Sequence, residues 1–447
     1  LSPSPRTYPG HMPGSRGTAA SNRLSYARNP LLGSPSQRES ALGTALLDSP
    51  PAGTTALSTF FNLINNYVGM VLLSMHFTFA RSGWLALPVL FGLTAFGAFT
   101  GDCIILCYQT LEARNPTRPP SYAEIATQAL GGCGKWLTIV SSLIEVFVAN
   151  ICMLIIIWQN VALLLPSVSY SWVIIGCVAA SFPTNWLRDF SLLSMLSSFA
   201  LLSIMLILAV VVYDVAADEH ATDRTLVEPS GLFMSSSIML AGLTGHVGLP
   251  PMYSEMKDPS LFRPTMYAAF LVMFLMYAVA GVGGYLLYGA EGHVLITEDM
   301  AAAGTSIFSK VLTTLVLGSI TFKLFCGVPM GVLILVEIVQ DLYQERTGTT
   351  FSEAVAFPMR VATWAGTIVV AIGILPYLEY VTALIGINSL LISVLLPLIF
   401  FLVLHRKTLG GVTFGGLSVL LVLTFIATVI ISIADVQDFL AKFAGTR

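Results

Sequence analysis

Four ionisable residues stand inside long apolar runs: Asp102, Glu145, Lys323 and Glu379. A charge at the centre of a bilayer span costs about 2.5–3.5 kcal/mol, so each is a functional group or half of an ion pair. Lys323, in Gly318-Ser-Ile-Thr321-Phe-Lys323, must meet an acid such as Asp102 or Glu145, or stand in water. His76 and His246 are the two histidines within the apolar runs. Imidazole titrates near physiological pH, which suits proton movement, unless a neighbouring carbonyl holds it neutral. Asn62, Asn65 and Asn66, followed by Gly69, interrupt the first apolar run. They either bond between helices, worth about 0.6 kcal/mol each, or line a site. Gly242 to Pro251 holds three glycines and two prolines in ten residues. Continuous helix is improbable there. Backbone freed by such a break cannot face lipid and must line a protein-buried or water-filled cavity. Paired interruptions, one per half of the chain, mark the binding site of a secondary transporter.

These groups need long apolar helices to hold them. The chain has 447 residues, 55% hydrophobic and 10% charged. A soluble domain carries about 25% charged residues, so a polytopic, all-α membrane protein is expected. Eleven segments reach the roughly 20 residues that span hydrocarbon. They run over 57–80, 83–110, 135–165, 169–186, 189–213, 231–255, 263–288, 305–340, 359–377, 380–404 and 412–434. Ser121 and Glu124 have capping-box spacing and open a short amphipathic helix that Gly131 and Gly132 close. The six cysteines are scattered, with no CxxC or Cys/His cluster, so neither a metal site nor a disulfide frame is indicated. A net charge of −3 says nothing useful about partners, and no nucleic-acid partner is expected.

Residues 1–55 are rich in Ser, Pro, Gly and Arg and are expected to be a disordered tail. A transmembrane domain over 56–436 follows, then a short extracytoplasmic tail over 437–447. No cleavable signal peptide is read, because the first long apolar run starts only near Ala56. Basic loop residues set the orientation. With the N-terminus cytoplasmic, Arg114, Arg118, Lys135, Arg188, Lys257, Arg263, Arg346, Arg360, Arg406 and Lys407 fall on the cytoplasmic side. Asp214, Asp218, Glu219, Asp223, Glu228, Glu291, Glu298, Asp299, Asp435 and Asp438 fall on the other.

Asn62-Leu-Ile-Asn65-Asn66-Tyr-Val68-Gly69, with Gly83-Trp84 closing the helix, resembles the first-helix pattern of the amino acid/auxin permease family. Gly245-His246, Pro250, Glu255-Met256 and Asp258-Pro259 resemble its sixth-helix pattern, and Pro183 to Arg188 its fourth-to-fifth connection. The Gly-His-x-x-x-Pro form is closest to the vacuolar and vesicular branch. The likeness covers residues 56 to 434. Two positions depart from it: Val71 stands where the family has Gly, and His76 where it has Pro.

The resemblance implies a leucine-transporter-type fold of eleven helices, the first ten forming two inverted five-helix repeats. It implies transport of amino acids by alternating access, driven by H+ or Na+; neutral substrates and no bound cofactor are expected. A monomer in a vacuolar, endomembrane or plasma membrane is expected. A substrate of this class is a carboxylate and an ammonium on one carbon. Half-helix N-termini suit the carboxylate and unwound carbonyls the ammonium. Val68, Gly69 and Met70 would then offer N–H groups, helped by Asn65 or Asn66. The carbonyls of Leu243, Thr244 and Gly245 would take the ammonium, beside His246. Lys323, His76, Asp102 and Glu145 are the candidates for ion coupling. An ammonium at Lys323 could stand in for sodium. The competing reading is an amino-acid sensor of the same fold that signals through its tail. Thr100-Gly101-Asp102 hints at an aspartyl protease, but a second such Asp motif and any Ser/His pair are missing, so an enzyme is not expected.

Overall fold

The computed structural model describes residues 53–116, 120–186, 190–217, 221, 223–303 and 307–445. The basic tail lies outside the described residues, as do Arg118, Arg188, Asp218 and Glu219 of the charge pattern. The described chain is helical: α1 (Ala56–Tyr67), α2 (Met75–Ser82), α3 (Ala86–Arg114), α4 (Tyr122–Leu164), α5 (Tyr170–Ser181), α6 (Phe190–Ala217), α7 (Leu232–Ala241) and α8 (Leu249–Ser254) come first. Then follow α9 (Phe262–Tyr288), α10 (Ile296–Ala303), α11 (Ile307–Thr347), α12 (Glu353–Ile374), α13 (Leu378–Ser389), α14 (Leu396–Leu404) and α15 (Gly411–Phe443).

Among the described residues, seven helical segments are long and apolar enough to cross a membrane. Two of them, Met70–Arg114 with 45 residues and Glu353–Leu404 with 52, are twice the length one crossing needs. Each is interrupted. Gly83 takes φ +68°, a backbone conformation that a Cβ disfavours. The N–H groups freed there are satisfied: Trp84 donates to Thr225 O at 3.2 Å and Leu85 to Leu226 O at 3.2 Å. A 3-10 turn over Leu375–Tyr377, carrying Pro376, interrupts the other.

Ser121 caps α4, its hydroxyl accepting from Glu124 N at 3.1 Å, as the capping-box spacing predicts. The short helix expected to end at Gly131 does break there, at φ +66°. Helix then resumes at once, so the amphipathic piece and the next apolar run form one kinked element rather than two separated ones.

The broken segments lie at the centre. α1 stops at Tyr67, and a 3-10 turn over Met70–Ser74 leads into α2. α7 stops at Ala241, and a 3-10 turn over His246–Gly248 leads into α8. α1 packs on α8 and α2 on α7, so the two segments run antiparallel, with their breaks side by side. α9 covers α1 and α2, while α4, α11 and α13 pack around them. Between Gly53 and Thr55 the backbone joins the end of α8: Thr54 N donates to Glu255 O at 2.8 Å, and Lys257 N to Thr54 O at 3.0 Å. Only 6% of the apolar window of α15 is buried, so this helix is peripheral. It is tied on by Ser237 Oγ, which donates to Asp435 Oδ2 at 2.5 Å, and by a Lys442–Glu379 ion pair.

Candidate functional site

The chain takes two different routes through the breaks. Val68 is extended at φ −82°, ψ 97°, and its N–H still donates to Ile64 O at 2.7 Å. This corrects the expectation that Val68 offers a free N–H: the last turn of α1 consumes it. The next groups along, Gly69 and Met70, start the 3-10 turn, where helix geometry leaves N–H groups unpaired. In the second break Gly245 takes φ +150°, which strongly favours glycine. A Cβ there would stand 2.6 Å from Asn66 Nδ2 and 3.0 Å from Tyr67 Cε1.

Side chains clamp the breaks together. Asn66 Nδ2 donates to Gly245 O at 3.2 Å. The buried Tyr277 hydroxyl on α9 lies 3.1 Å from Tyr67 O and 2.9 Å from Gly242 O, sharing one proton between carbonyls of both breaks. His246 has no exposed surface. Its Nε2 lies 3.0 Å from Gly97 O and 3.1 Å from Thr100 Oγ1. A carbonyl only accepts, so Nε2 carries the proton, and Nδ1 accepts from Tyr67 OH at 3.4 Å. His246 therefore links the second break to α3 and to the last residue of α1.

Lys323 Nζ donates to Val68 O at 3.1 Å. It does not pair with Asp102 or Glu145, as the charges alone suggest. Asp102 is taken by Arg263 in a two-pronged pair, both N···O distances 2.5 Å, at the start of α9 and away from the breaks. The planar guanidinium fits a carboxylate's two oxygens, which an ammonium cannot. Glu145 faces the Thr244 hydroxyl, and the two side chains interact. Both Glu145 Oε2 and Thr244 Oγ1 are buried, and neither completes a hydrogen bond of good geometry. Such a group costs about 1–3 kcal/mol when nothing binds to it. His76 lies farther along α2, with Nε2 2.8 Å from Asp299 Oδ2.

One face of α1, carrying Ser58, Asn62 and Asn66, is exposed, and Asn65 beside it is half-buried. Leu57 and Phe61 are exposed beside them, so α1 presents a mixed polar and apolar surface on its way to the breaks. At the opposite end α2 is buried except for Arg81. Exposed surface reaches toward the breaks from the end where α1 begins, the open end, and α2 is buried at the other, closed end.

Of the residues picked from sequence, Asn66, Val68, Gly69, Gly245, His246 and Lys323 meet around the two breaks. Thr244 and Glu145 adjoin them; Asp102 and His76 do not. Tyr67, Thr100 and Tyr277 were missed, because a lone Tyr or Thr in an apolar run carries no signal that separates it from packing.

Paired breaks inside a bundle of helices long and apolar enough to cross a membrane point to a multi-pass membrane transporter. Residues 52–438 match the family described as transmembrane amino acid transporter protein, and the chain belongs to that family. It is similar to the amino acid transporter AVT1D of Arabidopsis thaliana, 26% identical over 405 residues, covering 85% of this chain and 70% of that one. It is similar also to the vesicular GABA transporter of Caenorhabditis elegans, 24% identical over 372 residues, covering 80% of this chain and 74% of the relative. Among solved structures, a variant of the Eremococcus coleocola manganese transporter shares the fold, with TM-score 0.54 at 10% identity over 87% of this chain and 86% of that one. These relatives are carriers, not enzymes, and family membership supports amino acid transport.

Proposed function

We propose that this chain moves neutral amino acids across an endomembrane by alternating access, driven by protons and independent of sodium. The reading stands on the meeting of the two breaks, with Lys323 on the Val68 carbonyl. In this reading the substrate carboxylate takes the N–H groups of Gly69 and Met70. The ammonium takes the carbonyls of Leu243 and Thr244 and the free oxygen of Glu145. Lys323 and Glu145 offer one positive and one negative charge, a balance that suits a net-neutral zwitterion. The Lys323 ammonium fills the place at the Val68 carbonyl that a sodium ion would need. The relative named as vesicular favours an internal membrane.

Eleven crossings, the first ten in two inverted five-helix repeats, are part of the proposal. Splitting the segments interrupted at Gly83 and at Leu375–Tyr377, and counting α5 and α6 as one crossing each, gives that number. With the N-terminus cytoplasmic, the open side is the cytoplasmic one.

The test is uptake by proteoliposomes under an imposed pH gradient, screened against the twenty amino acids, with choline in place of sodium. Gradient-driven uptake that ignores the cation swap supports the reading; strict sodium dependence overturns it. Binding without counter-flow of labelled substrate would make the protein a sensor instead.

A further inference from the structure

One cluster of titratable groups plays no part in the site above. It lies at the closed end, under the loop between α9 and α11. Asp299 on α10 is 6% exposed. Its carboxylate stands 2.8 Å from His76 Nε2 and 2.5 Å from His293 Nδ1, and it accepts from the His293 backbone N–H at 3.0 Å. His76 belongs to α2, the second half of the first broken segment, whereas His293 belongs to the loop. One carboxylate therefore fastens the loop to the segment that carries the break. A second bond helps, Thr297 Oγ1 donating to Asn160 Oδ1 on α4 at 2.9 Å. Leu295, Ile296 and Thr297 have no exposed surface, so α10 is seated inside the bundle. A carboxylate oxygen only accepts, so each imidazole points an N–H at it. The other nitrogen of His76, Nδ1, is buried with no partner.

We infer that His76, Asp299 and His293 form a proton-binding site whose occupation locks α10 over the first broken segment, so that proton uptake from that side and closure of that side are one event. Its role as a gate rests on the reading that the breaks hold the substrate.

The charges around the cluster agree in sign. Asp299 raises the pKa of His293 above its ordinary value, mainly by hydrogen bonding, and Glu298 adds to it. Burial would raise Asp299 itself, but the bonds from His76 and His293 outweigh burial and hold it below the ordinary carboxylate value. Glu298 also feels Glu379 of α13, which strengthens the negative field. Tyr288, at the end of α9, sets its ring 6.2 Å from that of His76. α4 brings the neutral Asn160, and α11 brings none of the charges that act on Asp299 or His293. With the loop lifted, His293 loses its carboxylate and returns to about 6.5. A group whose value is higher in the closed state favours closure fully below about 6.5, and that advantage fades as pH rises through the closed-state value. Asp299 stays ionised throughout this window.

The test is hydrogen exchange of the 293–303 amides in the full chain in lipid nanodiscs, at about pH 5.5 and about pH 7.5, corrected for intrinsic exchange. The wild type is expected to be about three- to tenfold better protected at the lower pH. Asp299→Asn should abolish that response, and Asp299→Glu should restore part of it. If Asp299→Asn does not fold, His293→Gln serves, with the response reduced. Equal wild-type protection at both pH values, or an undiminished response in Asp299→Asn or His293→Gln, overturns the latch. The measurement needs no substrate. A pH-indifferent loop in a chain that exchanges amino acids sinks the latch alone, and a pH-sensitive loop in a chain that moves none sinks the transport reading.

Discussion

Gly245→Ala tests whether the second break binds substrate. Gly245 sits at φ +150°, and a non-glycine residue forced into so sparse a region costs roughly 1–3 kcal/mol. The added methyl would also stand 2.6 Å from Asn66 Nδ2 and 3.0 Å from the Tyr67 ring. Both neighbours belong to the first break, so relief means moving the breaks apart. If the bound geometry bears that strain, affinity falls about 5- to 150-fold. Gly248→Ala is the internal control. Its backbone is ordinary at φ −78°, so the variant lacks the backbone strain, and its methyl would press the Asn66 amide only mildly, at 3.3 Å. Affinity there should stay within about threefold. The assay is equilibrium binding of labelled amino acid to purified protein in nanodiscs, with both variants first shown to be folded and monodisperse. Normal affinity in Gly245→Ala would refute the placement of substrate at this break.

Lys323→Met should leave the protein in the membrane but abolish uptake driven by a pH gradient in proteoliposomes. Unchanged proton-driven uptake would remove Lys323 from coupling. Tyr277→Phe takes away the hydroxyl shared by Tyr67 O and Gly242 O, so thermal unfolding should show a loss of about 0.5–1.5 kcal/mol. No change in melting would mean that the breaks hold together without it. Asp102→Asn should lower stability by about 1 kcal/mol or less, since Arg263 is 46% exposed, and leave substrate affinity within about twofold. A large loss of binding would return Asp102 to the site.

The two breaks were legible because Gly and Pro act locally. Gly242, Gly245, Gly248, Pro250 and Pro251 forbid continuous helix wherever they occur, and three asparagines in an apolar run announce polar surroundings. What the side chains find across the bundle is not local. A buried Lys calls for a carboxylate, but the partner of Lys323 is the Val68 carbonyl, and every residue has a carbonyl. Val68 looked free because the sequence does not say in which residue the last helical turn ends. Asp299 lies between two apolar runs, and nothing in its spacing points to His76, 223 positions away. Hydropathy likewise cannot separate Tyr277, which holds both breaks, from the aromatic residues that only pack.

The short backbone join between Thr54 and the residues after α8 has a mechanical meaning. It rivets the root of α1 to the tip of α8, which α1 also touches. A displacement of either half-helix would therefore be passed to the other through this join. A pull on the chain just ahead of Thr54 reaches both together.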